Sequence, residues 1–284
     1  MSAAAIVQTL YRQRVLITGA AKGMGALYAR QALLYGAHYL VLWDVDEAAA
    51  TSLAKQLTQE FPSAKILVVA EDLSQLAAIE AGVAQVAEFM QVPDVLINNA
   101  GIVKGAFFWE HDNERDIELT MRINTLAPMW LTRLLIEPML ADKSTRKRIL
   151  NVASAAGTLA NPRMSVYAAS KWAMIGWSDS LRLECEKQGH EHVSVTTFCP
   201  SYVSTGMFDG AKGPLLTPIL TPEQAVNVAW QAMLQGKAMV YTPWTVKLAL
   251  ACRGVLPAKW WDWVAGKVFG VYDSMNDFQG HRPS

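Results

Sequence analysis

The sequence contains few cysteines: Cys185, Cys199 and Cys252 are the only three among 284 residues, and they lie far apart. This spacing fits neither a disulfide framework nor a cysteine zinc site, so we expect a reducing, cytoplasmic environment. The chain has no run of eighteen apolar residues and does not begin with a basic segment followed by an apolar one. We therefore expect neither a membrane-spanning helix nor a cleaved signal.

Net charge is also absent, because 25 Lys plus Arg residues balance 25 Asp plus Glu residues. A neutral chain has no field that attracts a polyanion, so we expect no nucleic-acid partner. Charged residues make up 18% of the sequence and hydrophobic ones 52%, which argues against disorder. The length suits a single domain over 1–284.

Short apolar segments alternate with helix-forming segments along most of the chain. Strands are predicted over 14–19, 39–43, 65–70, 94–98, 148–152 and 193–198, and helices over 26–35, 47–59, 76–90, 117–137 and 167–187. Strands joined by helices of ten or more residues pair in parallel through right-handed crossovers. The predicted fold is a single-domain α/β structure, a Rossmann-like doubly wound parallel sheet with helices on both faces and a core over about 12–240.

Glycines cluster between the first predicted strand and the first helix, at Gly19, Gly23 and Gly25. Such a turn leaves backbone N–H groups free at the positive end of the helix dipole, where a pyrophosphate can bind. The spacing differs from the Gly-x-Gly-x-x-Gly fingerprint, and a glycine cluster alone is weak support. Its place after the first strand makes a dinucleotide site the natural hypothesis.

The choice of dinucleotide depends on Asp44, which lies nineteen residues beyond Gly25 at the end of the second strand. An acid there can accept both ribose hydroxyls of adenosine and would repel a 2′-phosphate, which favours NAD. Lys22 in the glycine turn could instead hold that phosphate, so NADP stays open. A purely structural alternative is that Asp44 or Asp46 caps the next helix.

Tyr167 and Lys171 are four residues apart at the start of a predicted helix, so their side chains share a face. A nearby ammonium favours the phenolate and lowers a tyrosine pKa from about 10. The pair alone carries little weight. Ser154 and the segment Asn98–Gly101 each follow a strand, and ligands of parallel sheets bind at those strand ends.

Together, the motifs closely resemble those of the short-chain dehydrogenase/reductase family over about 15–240. They are Thr18-Gly19-x-x-x-Gly23-x-Gly25, Asn98-Asn99-Ala100-Gly101, Asn124, Ser154 and Tyr167-x-x-x-Lys171. The resemblance implies that Tyr167 exchanges a proton with the substrate oxygen and that Ser154 hydrogen-bonds it. It also implies that Lys171 lowers the tyrosine pKa and holds the nicotinamide ribose, while Asn124 fixes a proton-relaying water.

The resemblance also supplies a set of cofactor-binding positions. They are Gly19, Lys22, Gly23, Met24, Gly25, Asp44, Asp72, Leu73, Asn99, Ala100, Gly101, Tyr167, Lys171, Pro200, Val203 and Thr205. Asp72 is expected at the adenine amine, 99–101 and Ile123 near the adenosine ribose, and Val203 and Thr205 at the carboxamide. Ser201 stands where the family has glycine, which puts the local backbone in question.

The reaction that these residues imply is hydride exchange between a nicotinamide and an alcohol or carbonyl. Residues expected around the open side are apolar, namely Val103, Phe107, Phe108, Leu159, Met164, Tyr202, Met207 and Phe208. They favour a hydrophobic alcohol or ketone, although core or subunit contact would also explain them. Apart from His190-x-His192 in a polar loop, the histidines show no ligand spacing, so no metal is expected.

Two later segments depart from the alternating pattern. The Gly- and Pro-rich stretch 205–222 is predicted to be a lid or binding loop, with a plain surface connection as the alternative. The aromatic-rich extension 241–284 contains Trp244, Trp260, Trp261 and Trp263. We favour its packing on a neighbouring subunit of a homodimer or homotetramer over contact with a membrane surface.

The extension is similar to the branch that contains retinol and hydroxysteroid dehydrogenases. The sequence therefore predicts an NAD-dependent dehydrogenase of apolar alcohols, such as a secondary alcohol or a sterol- or retinoid-like one. The alternative is a catalytically silent nucleotide-binding regulatory or scaffold protein of the same fold. The intact Ser154, Tyr167 and Lys171 favour the enzyme, because a silent protein has little reason to retain all three.

Overall fold

The computed structural model describes residues 10–214 and 217–278. Its strands are β1 (Arg14–Thr18), β2 (Tyr39–Trp43), β3 (Lys65–Val69), β4 (Val95–Asn98), β5 (Lys147–Val152), β6 (Val193–Pro200) and β7 (Met239–Thr242). Its main helices are α1 (Gly23–Leu34), α2 (Glu47–Glu60), α3 (Leu76–Met90), α4 (Ala127–Ala141), α5 (Ser165–Lys187), α6 (Pro222–Leu234), α7 (Thr245–Val255) and α8 (Ala258–Trp263).

The strands form one parallel sheet in the order β3-β2-β1-β4-β5-β6-β7. The order reverses between β1 and β4, and ligands of such sheets bind outside the carboxyl ends of the strands at this point. The glycine turn after β1 and the Asn98–Gly101 segment after β4 flank the reversal. The predicted doubly wound α/β fold is confirmed.

Helices cover both faces of the sheet, which explains why its central strands are continuous apolar runs. Val15 and Ile17 point to the face packed by α1 and α6, while Leu16 points to the face packed by α3 and α4. Every residue of β4 and β5 is buried. Alternate residues of one strand therefore belong to two separate cores.

The structure corrects several predicted boundaries. The helix predicted over 117–137 begins as π-helical turns, Asn113–Glu118 and Arg122–Leu126, before α4 starts. Pro128 has no N–H to donate to the carbonyl four residues earlier, which interrupts the α-helical hydrogen-bond pattern at the start of α4. Helix α6 and the four-residue β7 were not predicted, and residues 241–242 belong to the sheet rather than to the extension.

A buried ion-pair network joins the amino ends of the central strands. Asp94 accepts hydrogen bonds from Arg14 and Lys147, with the Lys147 Nζ 2.7 Å from its Oδ1. The Lys147 and Asp94 side chains are 0% and 1% exposed. Burial raises the pKa of Asp94, but hydrogen bonds from Arg14, Lys147 and Thr145 outweigh it and lower the pKa to about 2. This edge of the sheet stabilises the fold and lies opposite the carboxyl ends.

We expect Asp94→Asn to lower the free energy of unfolding by about 3 kcal/mol, because it leaves Lys147 and Arg14 to share a single described carboxylate, Asp142. A carboxyl group with a depressed folded pKa stabilises the protein above its unfolded pKa of about 4, and this contribution is lost as the pH falls toward 2. Urea titrations in this pH range should therefore show a shallower acid dependence for Asp94→Asn. The exposed Asp209→Asn serves as the control, and equal curves for both variants would contradict the assignment.

Candidate active site

The predicted catalytic trio comes together at the carboxyl edge of the sheet. Ser154 lies two residues beyond β5, and Tyr167 and Lys171 lie in the first two turns of α5. All three are buried, being 8%, 4% and 4% exposed. The Lys171 Nζ is 5.8 Å from the centroid of the Tyr167 ring and donates to the Val152 carbonyl at 2.9 Å. The helical spacing thus brings the phenol and the ammonium into the same small volume.

The protonation behaviour of the trio differs from the sequence-based expectation. Burial raises the pKa of Tyr167 to about 12, although a hydrogen bond with Ser154 lowers it in part. The cost of burying a phenolate dominates this pKa, and the predicted lowering by Lys171 stays a prediction. Burial also lowers the pKa of Lys171 to about 8. At neutral pH the phenol is protonated and can donate its proton to a substrate oxygen.

Asn124 lies in the second π-helical turn and is fully buried next to this trio. Its Oδ1 accepts from the Ile102 N–H at 2.8 Å, and its Nδ2 donates to the Ile102 carbonyl and to Ser170 Oγ. Ser170 Oγ in turn donates to the Tyr167 carbonyl at 2.7 Å. Asn124 therefore fixes the loop after β4 against α5. Its predicted role in holding a water stays a prediction.

Buried polar side chains align the carboxyl ends of three neighbouring strands. Asn98 Nδ2 of β4 donates to Asn151 Oδ1 of β5 at 2.8 Å, and Asn151 Nδ2 donates to Ser178 Oγ of α5 at 2.8 Å. Thr197 Oγ1 of β6 also donates to Ser178 Oγ, at 2.6 Å. Because these partners are shielded from water, a shift of one strand would leave polar groups unpaired. The network fixes β5 relative to β4, β6 and α5, and so fixes the position of Ser154, which follows β5.

The glycine turn fits a bound pyrophosphate. Gly19 and Gly23 have φ of +61° and +56°, a region that favours glycine, and a Cβ on Gly25 would collide with the Gly19 carbonyl. Helix α1 starts here, and Lys22 at its N-cap makes no side-chain cap hydrogen bond. The first N–H groups of the helix thus have no acidic side chain or cap competing for them.

The acidic residues after β2 have separate tasks. Asp44 accepts from the backbone N–H groups of Ala21 and Asp46, at 2.9 and 3.0 Å, and so holds the glycine turn. Asp46 caps α2 by accepting from the Ala49 N–H and pairs with Lys22 at 2.7 Å. The capping alternative is therefore correct for Asp46, whereas Asp44 faces the turn. Lys22 is thus paired with Asp46, and the choice between NAD and NADP stays a prediction.

Other residues predicted to bind the cofactor make contacts within the chain. Leu73, Ala100 and Ile123 line one small cavity, and Met24 packs against the core from the first turn of α1. Asp72 uses both carboxylate oxygens on Ser74, accepting from its N–H and Oγ at 2.8 and 2.7 Å. Its contact with adenine stays a prediction.

The loop after β4 is fastened to the end of β1. The Asn99 and Ala100 N–H groups donate to Thr18 Oγ1 at 3.0 and 3.1 Å, and Asn99 Nδ2 donates to the Thr18 and Gly19 carbonyls. A Cβ on Gly101 would lie 3.5 Å from the Lys171 Nζ. The side chain of Asn99 therefore holds this loop on the end of β1. Residues 99–101 run from the glycine turn to the catalytic trio.

The segment after β6 reaches the glycine turn, and the predicted contact of Val203 and Thr205 with the carboxamide stays a prediction. Thr205 carbon atoms lie 3.6 Å from where a Gly23 Cβ would stand. Val203 is 5% exposed and forms a β-bridge with Leu220. Ser201 does not have positive φ and donates its N–H to the Thr242 carbonyl at 2.8 Å. The doubt about this backbone is resolved, because the position requires no glycine. Pro200 is the last residue of β6 and is buried.

An apolar cavity opens beside Ser154 and measures about 950 Å³ including its mouth. Its lining residues are Ser154, Ala155, Ala156, Leu159, Asn161, Met164, Ser201, Tyr202, Phe208, Pro214, Thr217, Thr245, Val246, Leu248, Ala249, Cys252, Trp261, Phe269 and Val271. Most are apolar, so the cavity offers few partners to a sugar or a charged acid. Of the eight residues predicted around the substrate, Leu159, Met164, Tyr202 and Phe208 line this cavity, whereas Val103, Phe107, Phe108 and Met207 do not.

The loop 205–222 contributes one side of this cavity. The bridge between Val203 and Leu220 closes the base of the loop. Its Phe208 ring packs edge-on to the Tyr167 ring, with centroids 5.9 Å apart, and to the Tyr202 ring at 5.4 Å. Residues 215–216 of the loop lie outside the described part. Phe208 of the loop thus packs on the phenol ring, and the role of the loop as a lid or binding loop stays a prediction.

The C-terminal extension forms the opposite wall, which the sequence analysis did not foresee. Met275 is 1% exposed and packs with Met164 and Tyr167. Asn161 Nδ2 donates to Ser274 Oγ at 2.9 Å and to the Tyr202 hydroxyl at 3.0 Å. The extension therefore packs on its own chain; its residues 279–284 lie outside the described part.

The sequence contains a partial indication of the cavity-lining residues of α7. Val246, Ala249 and Cys252 recur every three residues and so share one face of α7. A periodic apolar face predicts burial but not the surface that it meets. For this reason the spacing alone could not assign these residues to the substrate cavity.

Comparisons with known proteins agree with this geometry. The family model described as short chain dehydrogenase matches residues 13–213. Epidermal retinol dehydrogenase 2 of Mus musculus is 32% identical over 270 residues, covering 94% of this chain and 85% of that protein. Estradiol 17-beta-dehydrogenase 11 of Rattus norvegicus is 30% identical over 263 residues, covering 92% and 85%.

Solved structures share the fold. A short chain dehydrogenase/reductase from Burkholderia phymatum in complex with NAD has a TM-score of 0.77 and 24% identity, covering 87% of this chain and 94% of that chain. The bulky-bulky ketone specific alcohol dehydrogenase from Comamonas testosteroni has a TM-score of 0.70 and 23% identity, covering 96% and 97%.

The parallel sheet, the glycine turn and the serine, tyrosine and lysine at the carboxyl edge define an oxidoreductase that uses a nicotinamide cofactor. The chain belongs to the short-chain dehydrogenase/reductase family. Its relatives are retinol and hydroxysteroid dehydrogenases, so the predicted family and branch are both confirmed.

Two further findings concern only the described residues, 10–214 and 217–278. No three His, Cys, Asp or Glu side chains come together there as a group that could hold a metal ion. None of the helices there combines the length and hydropathy needed to cross a bilayer.

Proposed function

We propose that the protein transfers a hydride between NAD and a hydrophobic secondary alcohol or ketone, with sterol- or retinoid-like compounds as the substrate class. The observation that carries this proposal is the apolar cavity with Ser154 at its inner end and Tyr167 packed beside it. A flat or elongated apolar molecule can fill this cavity while its single oxygen reaches the two hydroxyl groups. The names of the relatives, which are retinol and estradiol dehydrogenases, support the same class.

In the proposed mechanism, the bound nicotinamide supplies or accepts the hydride at its C4 atom. Ser154 donates a hydrogen bond to the substrate oxygen and orients it. Tyr167 donates its proton to this oxygen during reduction and removes the alcohol proton during oxidation. The raised pKa of Tyr167 keeps the phenol protonated at neutral pH, which suits the reducing direction.

Lys171 contributes charge and position. Its ammonium donates to the Val152 carbonyl and lies over the face of the Tyr167 ring, so it is held on one side of the phenol. A cation there stabilises the phenolate that forms when the proton leaves. A Cβ on Gly101 would lie 3.5 Å from the same ammonium, so the loop after β4 approaches Lys171 closely.

The test is a screen of secondary alcohols, sterols and retinoids with NAD and with NADP, followed by the absorbance of the reduced nicotinamide. We expect turnover of apolar alcohols with NAD and little turnover of sugars or hydroxy acids. Tight NAD binding without turnover of any member would support the silent regulatory alternative instead. The assembled Ser154, Tyr167 and Lys171 favour the enzyme.

We expect the double variant Asp44→Ala/Asp46→Ser to shift the ratio of kcat/KM for NADP over NAD by about 100-fold toward NADP, because two like charges no longer face a 2′-phosphate. Serine at position 46 retains an N-cap oxygen for α2. Steady-state kinetics with both cofactors measure the shift. Adding Lys22→Ala should reverse it, and an equal loss for both cofactors in Asp44→Ala would remove the argument for NAD.

We also propose a homodimer or homotetramer in a reducing, cytoplasmic compartment. In the described part of the chain, Cys185, Cys199 and Cys252 are all free, and the first two are buried. Buried free thiols suit a compartment in which thiols stay reduced. Exposed apolar side chains on α5, such as Trp172 and Leu183, offer a surface for a subunit contact.

A further inference from the structure

Helix α7 is apolar on two opposite sides. Its inner side, with Val246, Ala249 and Cys252, lines the substrate cavity. Its outer side carries Trp244, Leu248, Ala251 and Val255, whose spacing of four, three and four residues follows one helical face. These four outer residues are all exposed, and Val255 is 84% exposed. A solvent-facing stripe of this composition has no structural partner within the described chain.

The stripe continues onto the next helix. Trp260 and Trp263 of α8 are 66% and 59% exposed, and Val268 follows at 43%. The neighbouring Trp261 is buried against the cavity. We define the tryptophan face as Trp244, Leu248, Ala251, Val255, Trp260, Trp263 and Val268. A monomer rarely exposes so many large apolar side chains from adjacent elements unless they meet a partner.

The charges around the tryptophan face are mainly positive. Lys247, Lys259 and Lys267 are exposed, and none of them forms an ion pair with a described residue. Asp262, the acid on this stretch, accepts a hydrogen bond from the Tyr272 hydroxyl at 2.6 Å. Asp277, which the sequence places in the same extension, is paired with Lys212 at 2.7 Å. Of the three acids in the extension, Asp277 is thus paired with a lysine. Asp262 and Asp273 accept hydrogen bonds from neutral groups and keep their charge, so the three lysines remain in excess around the face.

A second copy of the chain fits this face poorly. A two-fold contact sets the same patch against itself, so three unpaired lysines of one subunit would face three of the other. Like charges in a desolvated interface are costly. An anionic lipid surface neutralises the lysines and accepts tryptophan rings at the level of its head groups.

We propose that the tryptophan face docks on an anionic membrane surface, with α7 and α8 lying in the plane of the head groups. Leu248 belongs both to this face and to the cavity lining, so docking would place the cavity wall next to the lipid surface. An apolar alcohol dissolved in the membrane can then enter the cavity without crossing water. This entry route rests on the proposed function, whereas the docking itself does not.

The test is sedimentation of the full chain with vesicles of phosphatidylcholine, with or without phosphatidylserine. We expect binding to the vesicles that contain phosphatidylserine and weakening of this binding by salt. Trp260→Ser/Trp263→Ser and Lys247→Glu/Lys259→Glu should each lower the partition coefficient at least about tenfold. Tyr11→Ser and Lys187→Glu are the matched controls, since both residues are exposed at the amino edge of the sheet and should leave binding unchanged.

Two results would overturn the proposal. One is vesicle binding that is absent in the wild type or unchanged in both pairs of variants. The other is dissociation of an oligomer by Trp260→Ser/Trp263→Ser, measured by light scattering, without loss of vesicle binding, which would make the face a subunit interface. Turnover of a small water-soluble alcohol by the tryptophan variant should equal that of the wild type. Loss of docking can thus be distinguished from failure of the proposed function.

Discussion

Replacing Tyr167 with phenylalanine should lower kcat/KM for alcohol oxidation and for carbonyl reduction by about 10³-fold or more, because general acid–base catalysis by a positioned side chain contributes effects of this size. Phenylalanine retains the ring that packs against Met164, Phe208 and Met275. Cofactor affinity and thermal stability should therefore change little. Stopped-flow measurement of hydride transfer, together with NAD titration by fluorescence, separates the chemical step from binding.

Tyr28→Phe is the matched control for this experiment. Tyr28 is also fully buried, and its hydroxyl has no hydrogen-bond partner in the described part of the chain. Removing that hydroxyl breaks no hydrogen bond, so the rate should stay within a factor of about two of the wild type. A Tyr167→Phe enzyme as fast as Tyr28→Phe would show that the phenol transfers no proton.

The second large effect is expected from Ala249→Trp, which fills part of the cavity from the inner side of α7. A bulky sterol- or retinoid-like substrate should lose about 100-fold in kcat/KM, because forcing extra atoms into a filled pocket costs about 1–3 kcal/mol. A short secondary alcohol needs less of the cavity and should lose much less. The ratio of the two kcat/KM values is the measured quantity.

Ala251→Trp is the control, since Ala251 lies on the outer, exposed side of the same helix. Both variants place a tryptophan on α7 and make the same change in helix propensity. Only the inner one should change substrate preference. If both variants altered the ratio equally, or neither did, the extension would not form the substrate wall.

Much of the fold was predictable because parallel strands buried on both faces are continuous apolar runs. Helix α3 was placed at its observed bounds, Leu76–Met90, and β2 at Tyr39–Trp43. Helix α6 was missed because its first residue, Pro222, ends the Gly- and Pro-rich stretch that was predicted as a loop, and two other features were missed for physical reasons. β7 has only four residues, and the π-helical turns before α4 depend on hydrogen bonds that the apolar periodicity does not encode.

The part of the site that depends on residues close together in the sequence was predictable. Tyr167 and Lys171 meet because they are four residues apart in a helix, and Ser154 meets them because all lie at the carboxyl edge. The pKa of Tyr167 was not predictable, since burial depends on residues distant in sequence, such as Met275. The cavity wall formed by α7 was not predictable either, because it also depends on contacts between residues distant in sequence.

The two edges of the sheet have different physical tasks. The amino edge holds the ion pairs of Asp94 with Arg14 and Lys147, where no ligand needs access. The carboxyl edge holds the glycine turn, the catalytic trio and the mouth of the cavity. Stability variants at the first edge should therefore leave the chemistry at the second unaffected when the protein is folded.

The most direct test of the central claim uses a secondary alcohol that carries deuterium on its carbinol carbon, with mass spectrometry of the reduced NAD after turnover. If hydride passes directly between an alcohol in the apolar cavity and the nicotinamide, the reduced cofactor must carry the deuterium, and the chemical step must be slowed. A reduced cofactor without deuterium would contradict the account.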